Sequence, residues 1–169
     1  MMRANRQIGA QLVEQNVVGL EVLAAANEAF IDGLEIGQPR DRTVLGVLVY
    51  KLNALKEDEI LQRVVDAHGV GLVDLSAYEI PYDLRAYAEI DACWATWSVP
   101  FDREEEFFFV ATAYYLSPAV RQYWEKTLGG PILWFGTTLE GVATVLEKWA
   151  ARPMSVPLPE VLPPAGPAP

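Results

Sequence analysis

Two short segments of the sequence pair a glycine with an upstream arginine. Arg6 stands three residues before Gly9, and Arg42 stands four residues before Gly46. Guanidinium groups and the free N–H groups of helix N-termini bind phosphate, and apolar or guanidinium surfaces stack on purine rings. If the two segments converge, they could hold one anionic ligand between them. In the alternative interpretation, both glycines are helix-packing positions and both arginines are solvated charges.

The two segments belong to an internal repeat with a period of 37 residues. Glycine allows a close backbone approach, and asparagine tolerates the left-handed conformation that ends a short helix. Because one helical hairpin cannot bury its apolar face alone, two copies predict a pseudo-symmetric pair of hairpins. The matched positions are Gly9 with Gly46, Leu12 with Val49, Asn16 with Asn53, Glu21 with Asp58, and Leu23 with Ile60.

Few other residues offer chemistry. His68 is the only histidine and Cys93 the only cysteine, which excludes an internal disulfide and a zinc site built from several such ligands. His68 precedes Gly69 at the end of a helical pattern, where a capping role is the simpler interpretation. The carboxylates of Asp102 and Glu104–Glu106 are typical of a solvated turn rather than a calcium site or an acid/base pair. The sequence therefore predicts a protein that is not an enzyme.

The charge balance limits the classes of partner. Lys and Arg number 13 and Asp and Glu number 23, which leaves a net charge of −10. We therefore expect no binding of nucleic acid polymers or anionic membranes. The apolar runs are far shorter than the roughly 20 residues of a membrane span, and the N-terminus lacks the apolar segment of a secretory signal. These features predict a cytoplasmic protein without membrane insertion.

The pattern of elements predicts an α+β fold in three parts. Residues 1–68 have helical periodicity and contain the two hairpins, which are joined by the linker Ile31–Thr43. They are expected to pack on residues 69–151, a small three-stranded α/β subdomain. Residues 152–169 hold seven of the 12 prolines and predict a polyproline-like tail. The predicted strands are Thr96–Phe101, Glu106–Ala113 and Pro131–Phe135.

A large part of the chain resembles a known domain. The stretches Leu45–Ile80, Phe107–Ala113 and Ser117–Phe135 are similar to the N-terminal domain of the GspE-type assembly ATPases, which power type II secretion and type IV pili. The resemblance covers roughly residues 6–150. The P-loop pattern G-x-x-x-x-G-K-[ST] is not in the sequence. The chain also ends where the ATPase domain of that family would begin, so we expect a free-standing regulatory domain.

The repeat resembles the paired motif of the MshEN branch of that family, whose members bind cyclic di-GMP with one half of the dinucleotide on each motif. The sequence departs from the motif at Gln7 and Val44, which stand at its arginine positions, although Arg6 and Arg42 lie one and two residues upstream. The matching residues are Ile8, Gly9, Leu12, Val13 and Leu23 in the first copy and Leu45, Gly46, Val49, Ile60 and Val64 in the second.

The resemblance implies two alternatives for the function. The first is a non-enzymatic regulatory adaptor that binds a protein partner of a pilus, secretion or motility system through its helical surface or its tail. The second is a cyclic di-GMP sensor, and neither alternative needs a cofactor. The candidate ligand-binding residues of the sensor are Arg6, Gly9, Leu12, Leu23, Arg42, Gly46, Val49 and Ile60.

Overall fold

The N-terminal half of the computed structural model is helical, as the periodicity predicts. The structure describes residues 2–35, 37–113 and 116–152, so the proline-rich tail predicted from the sequence lies outside the described residues. The elements of this half are α1 (Met2–Glu14), α2 (Leu20–Gly33), a 3₁₀ turn (Pro39–Asp41), α3 (Val44–Gly46) with a π-helical continuation (Val47–Lys51), and α4 (Glu57–His68).

The two asparagines of the repeat occupy equivalent turns. Asn16 follows α1 with a φ of 54°, and Asn53 follows the π-helical continuation of α3 with a φ of 48°. Both values lie in the left-handed region that asparagine tolerates better than most residues. Each copy of the repeat therefore ends its first helix in a left-handed asparagine turn before its second helix, as the predicted pair of hairpins requires.

The C-terminal half contains the strands. Each of the three predicted strands is present, with ends that differ from the prediction by one to three residues. Pro81 suits the first position of a helix, and the segment that follows it forms a 3₁₀ helix rather than an α-helix. The elements are β1 (Gly71–Leu72), two 3₁₀ helices (Leu75–Ala77 and Tyr82–Tyr87), α5 (Ile90–Thr96), β2 (Ser98–Glu104), β3 (Phe107–Thr112), α6 (Pro118–Leu128), β4 (Ile132–Gly136) and α7 (Leu139–Ala151).

The sheet has four strands in the order β1-β4-β3-β2. Strands β2 and β3 form an antiparallel hairpin, whereas β4 runs parallel to both β3 and β1. The prediction of three strands is wrong because it omits β1, in which Gly71 lies opposite Phe135 and Leu72 opposite Gly136. Two residues are too few for the alternation of apolar and polar positions that identifies a strand. The α+β class itself is confirmed.

One hydrophobic core extends through both halves. It includes Leu48 and Ile60 from the helical half and Trp97, Trp124 and Leu146 from the half with the sheet. The first predicted boundary, at residue 68, coincides with the end of α4. The division into three parts stays a prediction. Over the described ranges, each helix is too short or too polar to cross a membrane.

Candidate functional site

The first glycine of the repeat lies at a close crossing of α1 and α2. Gly9 is buried, and a Cβ atom there would lie 2.9 Å from Cδ1 of Leu23. A groove of about 390 Å³ follows this crossing, and its lining includes Arg6, Gly9, Leu23 and Asn27. Arg6 is exposed. Three of the predicted ligand-binding residues therefore line one open groove.

The second glycine of the repeat is enclosed by the linker that precedes it. Gly46 is buried, and a Cβ atom there would lie 1.8 Å from the backbone oxygen of Arg40. The Oγ1 atom of Thr43 accepts a hydrogen bond from the backbone N–H of Gly46 over 3.0 Å and caps α3. The 3₁₀ turn Pro39–Asp41 thus packs directly against Gly46.

The remaining predicted residues occupy other places. Leu12 and Ile60 line a separate cavity of about 290 Å³ between α1 and α4. Val49 is buried. Arg42 is exposed and lines neither of these two spaces. The predicted set is therefore divided between two spaces, the core and the exposed surface, and its role in ligand binding stays a prediction.

The arginine at the centre of the polar contacts is Arg40, which the sequence interpretation did not single out. Its Nε atom donates to Oε1 of Glu147 over 2.9 Å, and its Nη1 atom donates to Oε2 of Glu140 over 2.5 Å. Its guanidinium carbon lies 5.2 Å from the ring centre of Tyr50. Hydrogen bonds to the two carboxylates, chiefly that to Glu147, raise the pKa of Arg40, and the bond from Arg40 lowers the pKa of Glu140.

Two further residues complete this network, which we call the Arg40 cluster (Arg40, Tyr50, Glu57, Glu140 and Glu147). The hydroxyl of Tyr50 donates over 3.1 Å to Oε1 of Glu57 and lies 3.3 Å from Oε2 of Glu140. Oε1 of Glu57 also accepts from the backbone N–H of Glu140 over 2.8 Å, in the first turn of α7. Burial, followed by the nearby carboxylates, raises the pKa of Tyr50. The Arg40 cluster joins the helical half to α7.

No local signal in the sequence identifies the Arg40 cluster. Pro39 marks the turn that carries Arg40, and Thr138 marks the start of α7. The two carboxylates that Arg40 contacts lie 100 and 107 residues away along the chain. Only the tertiary packing of the two halves brings these groups together.

The lone histidine and the lone cysteine lie on different helices, α4 and α5. His68 is the last residue of α4, and the left-handed Gly69 caps that helix. The Nδ1 atom of His68 lies 3.3 Å from Nη2 of Arg121. Burial, and next the charge of Arg121, lower the pKa of His68, while burial raises the pKa of the Cys93 thiol. Within the described ranges, no group of three or more His, Cys, Asp or Glu side chains is placed to hold a metal ion.

Apolar side chains are exposed on α2 and directly after it. Leu20 is 71% exposed, Ile31 is 62% exposed and Leu34 is 46% exposed. On a neighbouring side of the helix, Ala26 and Phe30 are buried in the core. A helix that buries one face normally presents polar residues on the other. The exposed apolar residues of α2 are therefore a candidate contact surface for another molecule.

Comparisons with known proteins identify the fold. No family model and no curated protein matches the chain. Among solved structures, the N-terminal domain of XpsE in one crystal form matches 86% of this chain and 96% of its own, with 16% identity and a TM-score of 0.54. A second crystal form of that domain matches 86% and 95%, also with 16% identity, at a TM-score of 0.50. The chain shares the fold of this domain.

A structure of MshE with cdg (cyclic di-GMP) also matches. It covers 83% of this chain and 96% of its own, with 16% identity and a TM-score of 0.48. The resemblance to the N-terminal domains of GspE-type ATPases that the sequence predicts is confirmed for the fold.

Proposed function

We propose that the chain is a non-enzymatic regulatory adaptor of the cytoplasm that binds a protein partner in a type II secretion, type IV pilus or related motility system. The observation that carries the proposal is the enclosed position of Gly46. A ligand that spans both copies of the repeat needs open space at both glycines. At Gly46 that space is filled by the backbone of Arg40, 1.8 Å from the position of a Cβ atom.

Two further observations support an adaptor. The fold of most of the chain is that of the XpsE N-terminal domain. In addition, Leu20 and Ile31 of α2 expose most of their apolar surface. Exposed apolar patches on soluble proteins commonly mark sites of protein contact.

The test is affinity capture with the full chain immobilised and a lysate of the organism that encodes it, followed by mass spectrometry. We expect enrichment of a component of a pilus, secretion or motility assembly. An Ile31→Lys bait should lose this component, while a Leu133→Lys bait, changed at an exposed position of β4, should keep it. Recovery of chaperones alone would contradict the adaptor proposal, whereas equal recovery of the component on all three baits would place the contact away from Ile31.

Binding of cyclic di-GMP is the second candidate, and the open groove beside Gly9 favours it. Arg6 and Leu23 line this groove, where a guanidinium group and an apolar surface meet. Calorimetry with cyclic di-GMP tests it on the full chain and on Arg6→Ala, with Lys126→Ala, at an exposed position of α6, as the control outside the groove. Saturable heat that Arg6→Ala abolishes and Lys126→Ala preserves supports a sensor. The adaptor proposal expects no heat at high micromolar ligand.

A further inference from the structure

A row of exposed, mostly apolar residues along α2 and directly after it follows the spacing of a helix-pairing surface. Five exposed positions recur at alternating intervals of four and three residues. This is the spacing with which one helix packs along another. We call this set the α2 stripe; its members are Leu20, Ala24, Asn27, Ile31 and Leu34.

The α2 stripe lies between a groove and an acidic edge. On one side, Leu23 faces α1 across the groove beside Gly9, and Leu20 and Asn27 line that groove as well. On the other side, the charged residues of α2 are all acidic and all exposed: Glu21, Glu28 and Asp32. At 100° per residue, these three carboxylates fall along the same side of the stripe. A helix packed on the stripe would therefore run beside a negative row.

We propose that the α2 stripe binds one amphipathic helix of a partner protein, with apolar residues at coiled-coil spacing and Lys or Arg along the edge that faces Glu21, Glu28 and Asp32. This inference rests on the proposed adaptor function, for which it names the surface and the chemistry of the partner. Charge complementarity selects the occupant, because basic side chains neutralise the acidic row.

A second copy of the chain is a poorer occupant of the same surface. It would bring another acidic α2 and another net charge of −10 to the interface. Like charges at helix edges oppose pairing. The α2 stripe spans about 22 Å, or about four helical turns, which suits the docking of one helix. Asn27 at its centre supplies a polar position that sets the register of a paired helix.

The experiment measures binding of a synthetic peptide to the full chain by fluorescence anisotropy. The probe is a labelled three-heptad peptide with Leu and Ile at positions a and d, Asn at the central a position and Lys at e and g. The matched control peptide has Glu at e and g. We expect saturable binding of the basic peptide, weakened by salt, and none of the acidic peptide.

Variants locate the binding surface. Ile31→Lys and Leu20→Lys change two strongly exposed positions. Each should lower the affinity of the chain for the basic peptide by about tenfold or more. Glu28→Lys should lower the same affinity by about threefold. Leu133→Lys on β4 and Glu125→Lys on α6 make the same changes of charge at exposed positions elsewhere, and should leave the affinity unchanged. Circular dichroism melts check that each variant folds.

Several results would overturn the inference. One is equal binding of the two peptides, and another is equal loss of affinity in the Glu28→Lys and Glu125→Lys variants. Sedimentation that finds a dimer abolished by Ile31→Lys would assign the surface to a second copy instead. A rise in peptide affinity on deletion of residues 153–169 would assign it to the tail.

This experiment and the capture experiment fail in different ways. If the pilus or secretion component is captured equally by the parent and Ile31→Lys baits while the peptide does not bind, the α2 stripe proposal is wrong. If the basic peptide binds as expected but no such component is captured, the adaptor proposal is wrong.

Discussion

The indole Nε1 atom of Trp97 donates a hydrogen bond to Oγ1 of Thr43 over 2.7 Å. The same oxygen accepts from the backbone N–H of Gly46. Trp97 is fully buried, follows α5, and has a left-handed φ of 45°, which is unfavourable for a bulky residue. The hydroxyl oxygen of Thr43 therefore caps α3 and also accepts the hydrogen bond of the buried indole N–H. This shared oxygen couples the two halves of the fold.

Replacement of Thr43 by valine should destabilise the protein strongly. Valine keeps the shape of threonine but leaves the N–H of Trp97 and the N–H of Gly46 without their acceptor. A lost N-cap and an unpaired buried donor together should lower the free energy of unfolding by about 2–4 kcal/mol. Urea denaturation, monitored by tryptophan fluorescence, measures this free energy. Thr43→Ser keeps the oxygen and should cost about 1 kcal/mol for the lost methyl group; equal losses in both variants would show that the hydrogen bonds are unimportant.

Gly46 should tolerate no side chain. Its absent Cβ atom would lie 1.8 Å from the Arg40 oxygen, so alanine forces the linker away from α3. We expect Gly46→Ala to lower the free energy of unfolding by about 3 kcal/mol. Gly33→Ala is the matched control: no atom lies within 4 Å of its added Cβ, and alanine favours helix, so it should raise stability by about 0.5 kcal/mol. A Gly46→Ala protein as stable as the parent would refute the close contact at Arg40.

The Arg40 cluster should make stability depend on pH below the ordinary glutamate range. The hydrogen bond from Arg40 lowers the pKa of Glu140 below its usual 4.5, so the folded state binds fewer protons than the unfolded state there. The stabilisation is complete above pH 4.5 and is lost as the pH falls through the depressed value. Because these side chains are partly exposed, Arg40→Ala should cost only about 1 kcal/mol at pH 7.

The measurement is the free energy of unfolding in urea at a series of pH values from 3 to 7. The difference between the parent protein and Arg40→Ala should shrink as the pH falls below 4.5, because protonated Glu140 no longer attracts the guanidinium group. Glu140→Gln should show the same convergence. Glu125→Gln, at an exposed position of α6, is the control and should follow the parent curve. A constant difference at every pH would contradict the ion pair.

Features determined by neighbouring residues could be predicted from the sequence. Serine followed by proline is typical of a helix start, and at the start of α6 the hydroxyl of Ser117, which precedes Pro118, accepts a hydrogen bond from the N–H of Val120. Gly129 ends the same helix with a φ of 67°. Both signals act within one helical turn, so they do not depend on the rest of the fold.

Features that depend on distant contacts could not be predicted. The strand β1 exists because β4 offers a free edge to two residues. Arg42 was the expected arginine at the second glycine, yet the 3₁₀ turn directs Arg40 toward α7 and leaves Arg42 exposed. Both outcomes follow from how the halves pack, which no local pattern encodes.

The two asparagine turns of the repeat should respond alike to substitution. Asn16 and Asn53 are both exposed and both left-handed, so their energetic role is conformational. Glycine adopts this conformation freely, and Asn16→Gly or Asn53→Gly should change the free energy of unfolding by less than about 0.5 kcal/mol. A β-branched residue resists it, and valine at either position should cost about 1–2 kcal/mol. Asn27→Val in α2 is the control. It should change the free energy of unfolding by about 0.5 kcal/mol or less, because valine and asparagine have similar helix propensities. If valine were tolerated at one turn and harmful at the other, the two copies of the repeat would not be mechanically equivalent.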